Sequence, residues 1–394
     1  MPSRRTRLPS TSPIGPIGRA AVLFNTAVEQ SLLLPIGALV GLLWANVGHA
    51  SYEQFARAMH FVVNDIGMVF FFALAAKEVV EATAPVGALS SARRAATPVV
   101  AALGGMVGPA AIYLALVHFS GEPELARGWA IPCATDIAFS YLVARFVLGP
   151  EHPAIPFLLL LAIADDAFGL GILAVFYPAG ALRPIEFSIL FILALTLAYW
   201  LRRRAVVSFW PYVLGAGLLS WAAFFRGGLH PALALVPIVP FLPHAPRDPG
   251  LFVSAPREAH DTLSELEHWW QFPVQIILLA FGLVNAGVRI DSVGPGTWIV
   301  LAAVLLGKPI GIVGFTMLAK VGGLSLPKSL GWRELVVVGC AAAIGFTVAL
   351  FFATAAFAPG SLLDQTKTGA LLTVLAALAS TLAAAVLRVG RFSR

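Results

Sequence analysis

The sequence predicts an all-α polytopic membrane protein of about twelve transmembrane helices. Three observations predict it. Of 394 residues, 59% are hydrophobic. Only 12% are charged, where a soluble domain carries roughly 25%. Apolar runs of about 20 residues, the length that crosses a bilayer, recur along the whole chain. The mean hydropathy of +0.86 agrees.

The expected spans are 27–47, 62–83, 95–117, 128–147, 154–177, 186–201, 206–225, 229–243, 268–288, 297–319, 333–357 and 364–387. The residues before them are polar, proline-rich and basic (Arg4, Arg5, Arg7, Arg19), with no short apolar core and cleavage site, so no cleavable signal peptide is expected. With the N-terminus inside, nineteen Lys and Arg fall on the inner side, among them Arg93, Arg94, Arg202, Arg203, Arg204, Arg247, Arg257, Lys320, Lys328, Arg333, Arg388, Arg391 and Arg394. Six fall outside: Arg57, Arg127, Arg183, Arg226, Arg289 and Lys367. The bias follows the positive-inside rule and puts both termini in the cytoplasm. Residues 1–26 and 389–394 then read as cytoplasmic tails flanking one transmembrane domain, 27–388. The net charge of +6 is explained by topology, so no nucleic-acid partner is expected.

Other chemistries find little support. The two cysteines, Cys133 and Cys340, both fall within spans and read as free buried thiols. No metal-spaced cluster occurs among the eight histidines, and no Walker or dinucleotide glycine motif occurs. The longest hydrophilic loop, 244–267, carries mixed charge and reads as a solvated connector. Two spans share a feature. Pro132 and Thr135 interrupt AIPCATDIAF, and Gly345 and Thr347 interrupt AAAIGFTVAL. Interrupted segments in corresponding halves point to discontinuous helices around a midplane site; two ordinary helices with a tolerated Pro and Gly remain the alternative.

An ionised side chain at a helix centre costs about 2.5–3.5 kcal/mol on insertion scales, so it persists only if paired, hydrated or useful. The span cores hold four: Asp136, Asp165, Asp166 and Lys308. Asp65 and the group Lys77, Glu78 and Glu81 lie nearer span ends, where capping or snorkelling accounts for them. Adjacent helical residues point about 100° apart, so Asp165 and Asp166 serve different partners. Burial and a like charge favour a protonated carboxyl and a cation favours an ionised one, so such a pair suits proton uptake and release. A hard cation such as Na⁺ or Li⁺ competes for the same oxygens. Lys308 either forms a static salt bridge with one aspartate or takes part in ion handling, and three acids against one lysine leave spare carboxylate. Asp136 offsets the exposed N–H groups of a broken helix, or simply caps its second half.

These residues resemble the NhaA-type sodium/proton antiporter family of bacterial membranes. The likeness runs from about Leu32 to Arg388 and is strongest in ATPVVAALGGMVGPAAIY, GWAIPCATDIAF, LAIADD, GLVNAGV, LLGKPIGI and AAIGFTVALF. The resemblance implies inverted-topology repeats, two discontinuous crossing helices, an inner-membrane location, and electrogenic exchange of protons for Na⁺ or Li⁺ with no cofactor. It implies Asp166 as principal ion and proton ligand, with Asp165 beside it as partner of Lys308. The transported Na⁺ or Li⁺ is the only metal implied, at Asp165 and Asp166. Thr135 and Asp136 match one break; Ile344, Gly345, Phe346 and Thr347 match the other. His230 and Glu267 also match family positions, though interfacial placement accounts for them.

Two departures stand out. The usual GLEVKRE at the end of the second span reads AAKEVVEA, which keeps Glu78 but moves the basic charge to Lys77. The family's pH response, associated with Glu78 and Glu267, is therefore expected to differ or be lost. Only about fourteen residues, Gly48 to Phe61, separate the first two spans. The long hairpin that helps members form a homodimer has little room there. The rival readings are the same fold with another ion preference, such as K⁺, and an intramembrane aspartate-dependent enzyme. The second lacks a spaced aspartate set or a GxGD motif.

Overall fold

The computed structural model describes residues 32–85, 87–89, 91–244, 261–324, 326 and 330–393. The expected N-terminal tail 1–26, Lys328, Arg394 and most of the loop 244–267 lie outside the described residues. All regular structure among the described residues is helical. Among the described residues six helices are long and apolar enough to cross a membrane, and eight if each of two sharply bent pairs counts as one span.

Helix α1 spans Leu33–Val47 and α2 spans His49–His60. A π-helical turn, Phe61–Gly67, joins α2 to α3, Met68–Thr83. The expected connector Gly48–Phe61 is therefore mostly helix, and one continuous helical rod covers His49–Thr83. Hydropathy missed its first half because i,i+4 pairs between His49, Glu53 and Arg57 support a polar helix. Helix α4 covers Ala92–Ser120. Short 3₁₀ turns at Pro123–Gly128 and Ile131–Cys133 lead to α5, Ile137–Leu148, with a bend of 58° at the break. Helices α6, Ala154–Phe176, and α7, Pro184–Arg203, follow. A second π turn, Tyr212–Gly217, opens α8, Leu218–Gly227.

The expected span 229–243 is not a transmembrane helix. It holds only two 3₁₀ turns, Pro231–Leu233 and Val239–Phe241. Pro231, Pro237 and Pro240 each remove a backbone donor, so an α-helical ladder cannot run through. Tight bonds such as Ala234 N to the Pro231 carbonyl and Ile238 N to the Leu235 carbonyl satisfy the backbone instead, and Ala232 to Leu235 are buried within the protein. Irregular backbone at membrane depth is tolerated only under such cover.

Helix α9 runs Thr262–Asn285, starting six residues before the expected span. Its polar first turn reads as loop on hydropathy, yet Asp261 caps it by accepting from Ser264 N at 2.8 Å. Helix α10 spans Pro295–Val321. Helices α11, Trp332–Ala342, and α12, Phe346–Ala356, form the second bent pair, at 54°. Helix α13, Ser361–Leu372, continues through a 3₁₀ turn, Thr373–Leu375, into α14, Ala376–Leu387.

Glycines set the closest helix contacts. On α4, Gly104 and Gly108 lie four apart; on α10, Gly307 and Gly311 do the same. A Cβ on Gly104 would overlap the Gly311 carbonyl, one on Gly311 the Gly104 carbonyl, and one on Gly108 the Gly307 carbonyl. This is backbone-on-backbone packing of the small-xxx-small kind. It brings Lys308, next to Gly307, within reach of the chain break at Ile131–Ile137. Gly37, Gly41 and Gly282 bring α1 and α9 together in the same way.

Gly311→Ala is expected to lower stability by about 1–3 kcal/mol, as overpacking does, read as a fall in the thermal midpoint of the purified protein. Gly314→Ala, on the same helix with nothing within 4 Å, is expected to leave the midpoint unchanged. Equal midpoints for both variants would show that the close approach is dispensable.

Candidate functional site

The two bent pairs cross near the middle of the fold, and each supplies the other's missing hydrogen bonds. At the first break the backbone is extended at Ala134 and Asp136. Asp136 N donates to the Ile344 carbonyl at 2.6 Å, and Thr135 Oγ1 donates to the Ala342 carbonyl at 3.0 Å. Gly345 is required at the second break, because a Cβ there would lie 2.7 Å from the Ala134 carbonyl oxygen. Its N–H is taken by Thr373 Oγ1 at 3.3 Å. Ile344 and Phe346 are buried on either side of it.

Asp136 serves two helix starts. Its Oδ1 accepts from Phe139 N at 3.4 Å, capping α5. Its Oδ2 accepts from Thr347 N at 3.3 Å and from the Thr347 hydroxyl, in the first turn of α12. One carboxylate thus meets the positive ends of both half-helices.

Lys308 is fully buried. Its ammonium donates to Asp165 Oδ2 at 2.8 Å and to Thr135 Oγ1 at 2.6 Å. Through Thr135 it also connects to the Ala342 carbonyl at the C-terminal end of α11, where a cation offsets the helix dipole. Asp165 is 3% exposed. Asp166, next on α6, is in a different position. It makes no hydrogen bond or ion pair among the described residues, and it lines a cavity of about 280 Å³ with Thr135, Asp136, Glu78, Glu267 and Thr347. The structure therefore brings Thr135, Asp136, Asp165, Asp166, Lys308 and Thr347 into one cluster.

The mouth of that cavity differs from expectation. Lys77 does not snorkel to the interface; it is 3% exposed and buried among acids. Its ammonium lies 2.7 Å from Glu81, 2.9 Å from Glu267 and 3.4 Å from Glu78. The cluster ties α3 to α9, and Glu267, with a side chain 13% exposed, is not a simple interfacial residue either. The pairing depends on α3 and α9 being neighbours, so no local sequence signal marks it. The glycine pairs of α4 and α10, also absent from the sequence expectations, do carry a local signal in their GxxxG spacing.

A larger cavity, about 1060 Å³, opens at the other end of the molecule, lined by His60, Asp65, His230, Asp364 and Lys367 among others. Asp65 Oδ1 lies 4.0 Å from His230 Nδ1. Aromatic rings stand between this cavity and Asp166: Phe72 packs edge-on to Phe351 at 5.0 Å, and Phe351 packs on His230 at 4.7 Å. Cys133 and Cys340 are free and buried. No group of three or more His, Cys, Asp or Glu arranged to hold a metal occurs among the described residues.

A profile of the Na⁺/H⁺ antiporter 1 family matches residues 21–387. Relatives named Na⁺/H⁺ antiporter NhaA are similar along most of the chain. The protein from Jannaschia sp. is 48% identical, with 91% of this chain and 96% of the relative covered. Those from Desulfitobacterium hafniense and Geobacter sulfurreducens are each 47% identical, covering 90% and 88% of this chain and 93% of each relative.

Removing one partner of a buried ion pair leaves an uncompensated charge and typically costs about 3–5 kcal/mol, whereas removing both costs little. Lys308→Met is therefore expected to destabilise strongly, and Lys308→Met with Asp165→Asn to recover most of the loss. Thermal unfolding of the two variants reads this; a double variant no more stable than the single would break the pairing argument.

Proposed function

The chain belongs to the Na⁺/H⁺ antiporter 1 family, and from that premise we propose that it is a secondary active antiporter, exchanging protons for Na⁺ or Li⁺ across a bacterial inner membrane. The observation that carries the reading is the contrast between the adjacent carboxylates. Asp165 is committed to Lys308, which also holds Thr135, while Asp166 has no partner among the described residues and faces a cavity. A carboxylate in a largely apolar wall is costly when bare. A proton or a hard monovalent cation relieves that cost, and the two compete for the same oxygens. Thr135 Oγ1 and Asp165 supply further oxygen donors beside it. With Asp166 carrying one proton and the Asp165–Lys308 pair a second, against one monovalent cation, the exchange is electrogenic.

Alternating access fits the geometry. The 280 Å³ cavity reaches Asp166 from the Glu78 and Glu267 end of the long helical rod, while the 1060 Å³ cavity starts near its His49 end and stops at the aromatic layer. The inner cavity faces the cytoplasm in this reading, with both termini on that side. Two observations favour inverted repeats: the matching glycine pairs of α4 and α10, and the similar bends of the segments that follow each. Lys77, Glu78, Glu81 and Glu267 would couple pH to the position of α3 against α9, with the lysine held differently from the family pattern. A homodimer would need surfaces other than a hairpin after α1, since Gly48 alone separates α1 from α2. Lipid, monovalent cations and protons are the partners this reading needs.

Purified protein in liposomes, with a pH gradient collapsed by added NaCl, LiCl or KCl, tests the proposal. Na⁺- and Li⁺-driven proton movement is expected, and a response to K⁺ alone would replace the ion assignment. Asp166→Asn is expected to abolish exchange while keeping the parent's thermal midpoint, because the side chain holds no structural partner. Exchange at the parent's rate in that variant would remove Asp166 as the ligand.

A further inference from the structure

Three arginines at one end of the molecule are ion-paired, while five at the other lie on aromatic rings. At the end where α7 begins and α9 finishes, Arg57 pairs with Glu53 at 2.6 Å, Arg183 with Glu186 at 3.4 Å, and Arg289 with Asp291. At the opposite end, Arg145 lies over the ring of Tyr141, Arg203 over Tyr199, Arg204 over Trp200, Arg333 over Trp332 and Arg391 over Phe146, all at 5.3–5.6 Å. None of these five has an ion pair among the described residues. A guanidinium lying on a ring keeps its planar N–H edge free for oxygen acceptors.

Two of the five, Arg145 and Arg391, lie at one corner of the fold. After α14 the chain turns through Arg388, in the left-handed region at φ +54°, and Gly390 at φ +62°. Val389 is buried, and the Gly390 backbone presses on the end of α5, where a Cβ would lie 2.6 Å from Leu148 Cα. The turn after α14 is therefore docked against α5, and Arg391 is held over Phe146, the residue after Arg145. Arg388 is exposed in the same turn. On the lateral surfaces of the same two helices, Leu142, Phe146, Leu382 and Val386 are all exposed. Glu151, the first carboxylate after α5, forms no ion pair among the described residues. The corner thus has an apolar face topped by three guanidiniums with free donors.

We propose that this corner binds the headgroup of an anionic phospholipid, its acyl chains lying along α5 and α14 and its phosphate bridging Arg145 and Arg391. Arginine fits phosphate oxygens in a two-pronged geometry, and basic residues at a membrane surface each add to anionic-lipid affinity. The apolar strip below them requires a lipid rather than free phosphate.

The test is native mass spectrometry of the full-length protein titrated with phosphatidylglycerol or phosphatidylcholine in detergent. Preferential retention of phosphatidylglycerol is expected, falling about tenfold in Arg145→Gln/Arg391→Gln. Arg183→Gln, at the opposite end, is expected to retain it like the parent. Inorganic phosphate at matched concentration is expected not to displace the lipid. Equal retention in the double variant, no preference over phosphatidylcholine, or displacement by inorganic phosphate alone would each overturn the proposal. An unchanged thermal midpoint shows that the double variant, altered only at exposed side chains, is folded.

Discussion

Everything at the centre of this protein depends on one constraint: unwound backbone inside a membrane must find hydrogen-bond partners within the protein. Both bent pairs break their helices where they cross, leaving bare N–H groups at two helix starts and bare carbonyls at the ends before them. The crossing solves both deficits at once. Asp136 takes donors from α5 and α12 together, while Thr135 and Lys308 lie at the carbonyl end of α11. The charges in these spans are therefore first the means by which the breaks are stable.

That solution uses up all but one of the central charges. Lys308 needs a counter-ion because an ammonium with no partner in this interior is costly, and Asp165 is that counter-ion. Position follows from packing. Without four glycines letting α4 and α10 touch backbone to backbone, Lys308 could not reach both Thr135 and Asp165. Asp136 is held by the helix starts. Asp166 is left with nothing but the cavity. The free carboxylate exists because its neighbours' charges are spent on structure.

What could be read from the sequence follows from whether a signal is local. Buried charge is a local signal, so Asp136, Asp165, Asp166 and Lys308 stood out as costly residues in apolar runs. Which aspartate met the lysine was not local: adjacent helical positions diverge by about 100°, but the direction of each depends on where α10 lies. Lys77 was misread for the same reason, since its partner Glu267 is on a helix almost two hundred residues away. Hydropathy failed in two further ways. It read a polar but helical α2 as connector, and it read the proline-broken 229–243 segment as a span, because it measures partition and not hydrogen bonding. The Pro231, Pro237 and Pro240 pattern carried the missing information.

The cluster around Lys77 shows how the same logic extends to the cavity mouth. One ammonium among three carboxylates cannot neutralise them all, so the mouth holds excess acid beside the path to Asp166. Lys77 sits on α3 and Glu267 on α9, which means the cluster's strength also sets how firmly those helices are joined. Anything that changes the acids' charge alters that joint and the mouth's attraction for cations together. Lys77 sits one turn from Glu81 and directly before Glu78, so the joint is built around a buried cation. Access to Asp166 and the attachment of α3 to α9 are then governed by the same four side chains, and the response of one cannot be tuned without the other.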